Sequence, residues 1–137
     1  MTDLELMKLA EEARQLSYTP YSHFAVGAAL LTSDGKVFKG CNIENASYTP
    51  TNCAERTAVF KAVSEGERSF AAIAVIGAPE GESGKFCAPC GVCRQVLREF
   101  CEPETFRVIL GSTEKTTAYT LQELLPTSFG PADLKGE

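Results

Sequence analysis

Apolar residues recur at helical spacing near the start of the chain: Leu6, Leu9, Ala10, Ala13 and Leu16 share one face of a helix predicted over residues 2–17. Thr2 followed by Glu5 supplies a capping box at its start. Beyond Pro20 the pattern changes to two apolar or β-prone runs, Phe24–Leu31 and Lys36–Cys41, separated by Thr32-Ser33-Asp34-Gly35. The Asp-Gly pair between such runs predicts an antiparallel hairpin. Helical spacing returns from about Cys53 to Ser64 or Glu65, with Asn52 expected as N-cap, Ala58/Ala62 and Val59/Val63 inward, and Gly66 at the C-cap. Phe70–Ile76 is continuously apolar, as in a strand covered on both faces, and Ala78–Gly84 reads as a surface loop. A third helix is expected over Gly91–Cys101, then strands at Phe106–Leu110 and Thr116–Tyr119. Thr120 with Glu123 makes another capping box before a short helix that Pro126 ends, and about the last seven residues are expected to fray.

Strand, helix and strand over residues 70–110 is the pattern of a crossover between parallel neighbours. With helices on both faces, the expected architecture is α/β: a three-layer α-β-α sandwich on a mixed five-stranded sheet, with an N-terminal β-hairpin and parallel C-terminal strands. A chain of 137 residues, 44% hydrophobic and 23% charged, fits one packed domain over 1–137 and argues against disorder. Its formal charge of −5 leaves no surplus to neutralise a phosphate backbone, so neither nucleic acid nor an anionic membrane is an expected partner. Apolar runs such as Phe24–Leu31 are far short of the roughly 20 residues a bilayer span requires, and Met1-Thr2-Asp3-Leu4-Glu5 carries no basic leader segment. A cytoplasmic protein is expected.

The candidate chemistry lies in the cysteines, Cys41, Cys53, Cys87, Cys90, Cys93 and Cys101. In a reducing compartment such a set reads as metal ligands or buried thiols before disulfides. Asn52-Cys53-Ala54-Glu55-Arg56 and Cys87-Ala88-Pro89-Cys90-Gly91-Val92-Cys93-Arg94-Gln95 both fall at predicted helix N-termini, where free N–H groups and the helix dipole favour thiolate, the form that binds metal. Cys90 and Cys93 are one helical turn apart, and Cys53 can approach from the facing helix. Three such ligands suit a catalytic zinc that keeps its fourth position for water. Glu55, two residues from a ligand, is placed as a proton carrier.

Other readings of the same residues stay open. Glu55 stands three positions after Asn52 and fits the N3 partner of a capping box. Cys87 forms a second C-x-x-C with Cys90, so Cys53, Cys87, Cys90 and Cys93 fit a closed structural zinc site in an interaction module. Cys41 and Cys101 fit small buried hydrophobes. Phe24 fits a core residue, Asn42 and Glu44 fit turn residues, and His23, the single histidine, fits the surface.

The residues resemble the cytidine deaminases, in the small homotetrameric form whose zinc is held by three cysteines. The zinc-deaminase pattern of His-or-Cys, Ala, Glu and Pro-Cys-x-x-Cys is matched by Cys53-Ala54-Glu55 and Pro89-Cys90-Gly91-Val92-Cys93. The likeness extends through Tyr21 to Ala29, Gly40 to Tyr48, Cys53 to Ala58, Arg94-Gln95 and Glu123-Leu124-Leu125-Pro126. It implies hydrolytic deamination of cytidine and 2′-deoxycytidine for pyrimidine salvage, with one Zn²⁺ per subunit on Cys53, Cys90 and Cys93. It also implies Glu55 as the proton carrier, Phe24 against the pyrimidine, Asn42 and Glu44 on the ribose 3′-hydroxyl, and Ala54 with Glu55 on the amide edge of the base. Arg56 would donate to the cysteine sulfurs, the alternative being an exposed helix arginine. Ala46, Tyr48 and Phe129 would reach a neighbouring subunit's site in a homotetramer with shared active sites. A deaminase of a nucleoside-like antibiotic such as blasticidin S is the nearest rival, against which Asn42-Ile43-Glu44-Asn45 argues. Polynucleotide base deaminases share the zinc chemistry, but the acidic charge balance disfavours them.

Overall fold

Thr2 begins α1 (Asp3–Arg14) with the expected reciprocal cap: its side chain accepts from Glu5 N–H, and Glu5 accepts from Thr2 N–H. In the computed structural model, which describes residues 1–136, the helix ends three residues earlier than its periodicity suggests, and Leu16 is 80% exposed. The cause is non-local. Tyr18 N–H donates to Asn42 O and Tyr18 O accepts from Glu44 N–H, while Ser17 Oγ donates to Val26 O, so the chain must leave the helix to reach these partners.

The hairpin β1 (Phe24–Thr32) and β2 (Val37–Cys41) forms in the register Gly27↔Cys41 to Leu31↔Val37. Then follow α2 (Ala54–Ser64), β3 (Phe70–Pro79), α3 (Gly91–Phe100), β4 (Arg107–Gly111), β5 (Thr116–Thr120), α4 (Leu121–Leu124) and α5 (Pro131–Lys135). The five strands make one mixed sheet in the order β2-β1-β3-β4-β5. The parallel pair is β3 with β4, joined through α3; β5 returns antiparallel because only the short segment 112–115 separates it from β4, long enough for a hairpin but not a crossover.

Alternation along the strands divides the core. Ala29, Ala72, Ala74, Ile76 and Ile109 face α1, while Ala28, Leu30, Ile73, Val75, Val108 and Leu110 face the opposite layer, which holds α2, Leu97 of α3 and Leu121 of α4. These are the three expected layers. On the hairpin both helices come so close that only glycine fits: a Cβ on Gly27 would stand 2.0 Å from Ala10 O in α1, and one on Gly40 would stand 2.5 Å from Ala54 O in α2.

Three local expectations change. Residues 78 and 79 belong to β3, not to a loop, because they pair with Ala25 and Phe24. The C-terminal residues expected to fray include α5, whose start is held by Gly130 N–H donating to Asp133; Glu137 lies outside the described residues. The N-cap of α2 is Cys53 rather than Asn52, because Asn52 exchanges both backbone hydrogen bonds with Ile43 and so stays extended outside the helix. Gly66 then follows the cap residue Glu65, with φ +95°.

Candidate functional site

The shift of one residue at the start of α2 decides the site. Cys53 caps α2 and Cys90 caps α3; both backbones are extended, and neither thiol caps a backbone N–H of its own helix. Two side chains at positions usually held by Ser, Thr, Asp or Asn are therefore left for partners other than the helix backbone. Cys93 lies in the first turn of α3, buried below them. The three sulfurs lie within 4.8 Å of one another, with Cys53 to Cys90 at 3.8 Å and Cys90 to Cys93 at 3.5 Å.

The neighbourhood favours thiolate at Cys53. A hydrogen bond from Cys93, with the Arg56 guanidinium beside it, draws the Cys53 thiol down to about 5, and the same Cys53 partner holds the Cys93 thiol well above its usual range. Arg56 is not a free surface arginine: Nη2 lies 3.2 Å from Cys53 Sγ, and the buried Nε has no hydrogen-bond partner among the described residues.

Because Cys53 is the cap, Glu55 is the second helical residue and cannot close a capping box with Asn52. The residue is instead 3% exposed, and its Oε1 has no hydrogen-bond partner among the described residues. Burial, with the Cys53 thiolate nearby, pushes its pKa up to about 7. An unsatisfied buried polar atom costs about 1–3 kcal/mol, which folding tolerates where a ligand completes the site.

Glu55, Cys53 and Cys90 line a cavity of about 210 Å³ together with Ala54, Asn42 and Cys87. The fourth cysteine is not part of the sulfur group. Gly77 and Lys85 exchange backbone hydrogen bonds, which folds residues 85–87 back over the end of β3, and Cys87 Sγ packs 2.9 Å from where a Cβ on Gly77 would stand. That packing removes Cys87 from the closed four-cysteine arrangement. Of the remaining thiols, Cys101 is buried and Cys41 only half-buried. His23 is exposed, beside Glu80 at 3.7 Å.

The other candidates divide. Phe24 is not core: it is 38% exposed, with its ring edge beside Cys87 over Gly77. Ala54 is buried in the cavity wall. The Asn42 amide is tied to β1, Oδ1 accepting from Val26 N–H at 2.9 Å and Nδ2 donating to Phe24 O at 2.9 Å. Glu44 and Tyr48 line a second cavity of about 280 Å³, which shares Thr51 with the first. Ala46 is exposed on the same loop and lines neither. Phe129 is 59% exposed after α4, in a different cavity with Gln95 and Leu134, so a single chain does not bring it to the cysteines. Sequence reasoning missed Val26, Thr51, Asn52 and Ala88 as cavity-lining residues. It also missed Ser22, whose side chain donates to Glu44; its place in Tyr21-Ser22-His23-Phe24 was the available signal.

The donor set fits zinc, which takes cysteine sulfur readily and uses three protein ligands where chemistry is done. The converging thiols and the unpaired oxygen of Glu55 on one cavity are the structural sign of that fit.

Residues 1–110 match the family described as the cytidine and deoxycytidylate deaminase zinc-binding region. The cytidine deaminase of Sporosarcina psychrophila is 50% identical over 133 residues, covering 95% of this chain and 93% of that protein. That of Halalkalibacterium halodurans is 51% identical over 130 residues, covering 94% and 95%. The crystal structure of cytidine deaminase from Burkholderia pseudomallei superposes with a TM-score of 0.85 at 50% identity, covering 94% of this chain and 100% of that one.

Proposed function

The chain belongs to the cytidine and deoxycytidylate deaminase family, and from that premise we propose that it hydrolyses the C4–amino bond of cytidine and 2′-deoxycytidine, releasing uridine or 2′-deoxyuridine and ammonia. Its cofactor is one Zn²⁺ per subunit. The observation that carries this reading is the buried Glu55 carboxyl, whose Oε1 has no hydrogen-bond partner among the described residues, on the same cavity as the three-sulfur group.

Cys53, Cys90 and Cys93 hold the ion. When bound, zinc supplies the Lewis acidity that lets a water lose a proton near neutral pH. Glu55 Oε1 accepts that proton as the water oxygen attacks C4, and delivers it to N3 of the ring. Glu55 then takes the remaining hydroxyl proton and passes it to the amino nitrogen, so that the C–N bond breaks and ammonia leaves. One water is consumed, and the carboxylate is regenerated. Three thiolates weaken a dication as a Lewis acid; Arg56 and the N-termini of α2 and α3 offset their negative charge.

Phe24 packs on the pyrimidine, Ala54 and Glu55 read its amide edge, and Asn42 and Glu44 take the ribose 3′-hydroxyl. The exposed positions of Ala46, Tyr48 and Phe129 support contacts made across subunits, in a homotetramer of single-domain chains working in cytoplasmic pyrimidine salvage. No helix among the described residues is long and apolar enough to cross a membrane.

The test measures zinc content and the loss of cytidine ultraviolet absorbance on the same sample. One equivalent of zinc with cytidine turnover is expected. Zinc-loaded protein that leaves cytidine unchanged overturns the proposal.

A further inference from the structure

Ser22 joins the two halves of the substrate site. Its backbone N–H donates to Glu44 Oε1 at 3.1 Å, its hydroxyl donates to Glu44 Oε2, and the same Oγ accepts from Phe24 N–H at 3.0 Å. Tyr21 N–H adds a second bond to Glu44 Oε1 at 3.0 Å. The direction of the chain is set by chemistry: Phe24 N–H can only donate and a carboxylate can only accept, so the single hydroxyl proton points at Glu44. Charge-assisted bonds of this kind are the strong ones, and bonds in series reinforce one another.

The donor count has a consequence for the carboxylate. Oε1 is filled by two backbone donors, whereas among the described residues Oε2 accepts only from Ser22, leaving that oxygen able to accept from one further hydroxyl. Glu44 itself is held on the other side by its N–H to Tyr18 O at 2.9 Å. The turn carrying Ser22 is closed by His23 N–H to Thr19 O at 3.0 Å and by Glu80 N–H to His23 O at 2.7 Å, with His23 at φ +57°. Backbone and carboxylate are thus both tied, and the Ser22 hydroxyl is the side-chain link between Glu44 and the start of β1.

We infer that Ser22 is a positioning residue for nucleoside recognition, aiming Glu44 Oε2 at the sugar hydroxyl while holding Phe24 for the base. This rests on the proposed role of Glu44 toward the 3′-hydroxyl and extends it to a residue that touches the substrate only through others. Loss of the aimed oxygen therefore weakens sugar binding by about tenfold.

The experiment measures kcat and KM for cytidine and for 3′-deoxycytidine on zinc-loaded wild type, Ser22→Ala, Ser22→Thr and Glu44→Gln. Wild type is expected to have the lower KM for cytidine. Ser22→Ala raises that KM about tenfold and collapses the ratio between the two nucleosides, with kcat changed about twofold or less. Ser22→Thr, which keeps the hydroxyl, restores the ratio. A uniform structural defect would raise both KM values together and leave the ratio alone. A wild-type ratio in Ser22→Ala beside a collapsed one in Glu44→Gln overturns the role of Ser22 alone. Equal KM values for the two nucleosides in wild type overturn the sugar-binding role of Glu44, and this inference with it.

Discussion

Replacing Gly40 by alanine tests whether the packing of α2 on the hairpin sets the position of the catalytic groups. An added Cβ would stand 2.5 Å from Ala54 O and 2.5 Å from Ala58 N. Those atoms stand four residues apart in the first turn of α2, so the methyl group would enter a helical hydrogen bond. Ordinary contact begins near 3.4 Å, and relief therefore requires the start of α2 to back off by about 0.9 Å. Ala54 lies between Cys53 and Glu55, so both move with it. A displacement of about 1 Å in an active site costs on the order of 100-fold in rate. Overpacking of this kind also costs about 1–3 kcal/mol of stability, a fall in Tm of roughly 3–12 °C for a domain this size. The assay combines kcat/KM from the ultraviolet loss of cytidine with zinc content and thermal melting. Gly35→Ala is the control: Gly35 sits in the hairpin turn at φ +93° with nothing within 4 Å of an added Cβ, so it lowers Tm and leaves kcat/KM alone. Gly40→Ala enzyme with wild-type kcat/KM and Tm would refute the reasoning.

Glu55→Gln keeps zinc and loses about 10²–10⁴-fold in kcat, whereas Cys53→Ala loses both metal and activity; metal analysis beside the ultraviolet assay separates the two, and near-normal turnover by Glu55→Gln removes the proton carrier. Arg56→Ala retains the fold but loses about 10–100-fold in zinc affinity or kcat, as measured by chelator competition and turnover, and unchanged values for both would reduce the arginine to a packing role. Burial pushes the Cys101 thiol up to about 12, so the folded state keeps a proton that the unfolded chain releases. Its contribution to stability is complete below pH 9 and declines as pH rises from about 9 toward 12. Urea unfolding of wild type and Cys101→Ala at pH 8 and pH 10.5 checks the sign: wild type should lose more stability than the variant, and equal losses count against it.

What the sequence determined by itself is the set of features carried by near neighbours. The Thr2/Glu5 and Thr120/Glu123 capping boxes, the Asp34-Gly35 turn and the unbroken apolar stretch of β3 each depend on residues a few positions apart, and each appears where the pattern places it. The grouping of Cys53, Cys90 and Cys93 was legible for a similar reason, since helix starts were readable and cysteines stood at two of them. Other decisions belong to tertiary structure because they are made between segments distant in the chain. Asn52 lost the N-cap of α2 to Cys53 by pairing with Ile43, and that one-residue shift turned Glu55 from a capping partner into a buried acid. Cys87 is equivalent to its neighbours in spacing, yet the Gly77–Lys85 pairing carries it onto Gly77 and away from the other sulfurs. The link from Phe24 through Ser22 to Glu44 joins positions 22 apart and exists only once the hairpin and the loop after it are in place. Periodicity records which face of a segment avoids water; which partner meets that face depends on long-range packing that no local pattern contains.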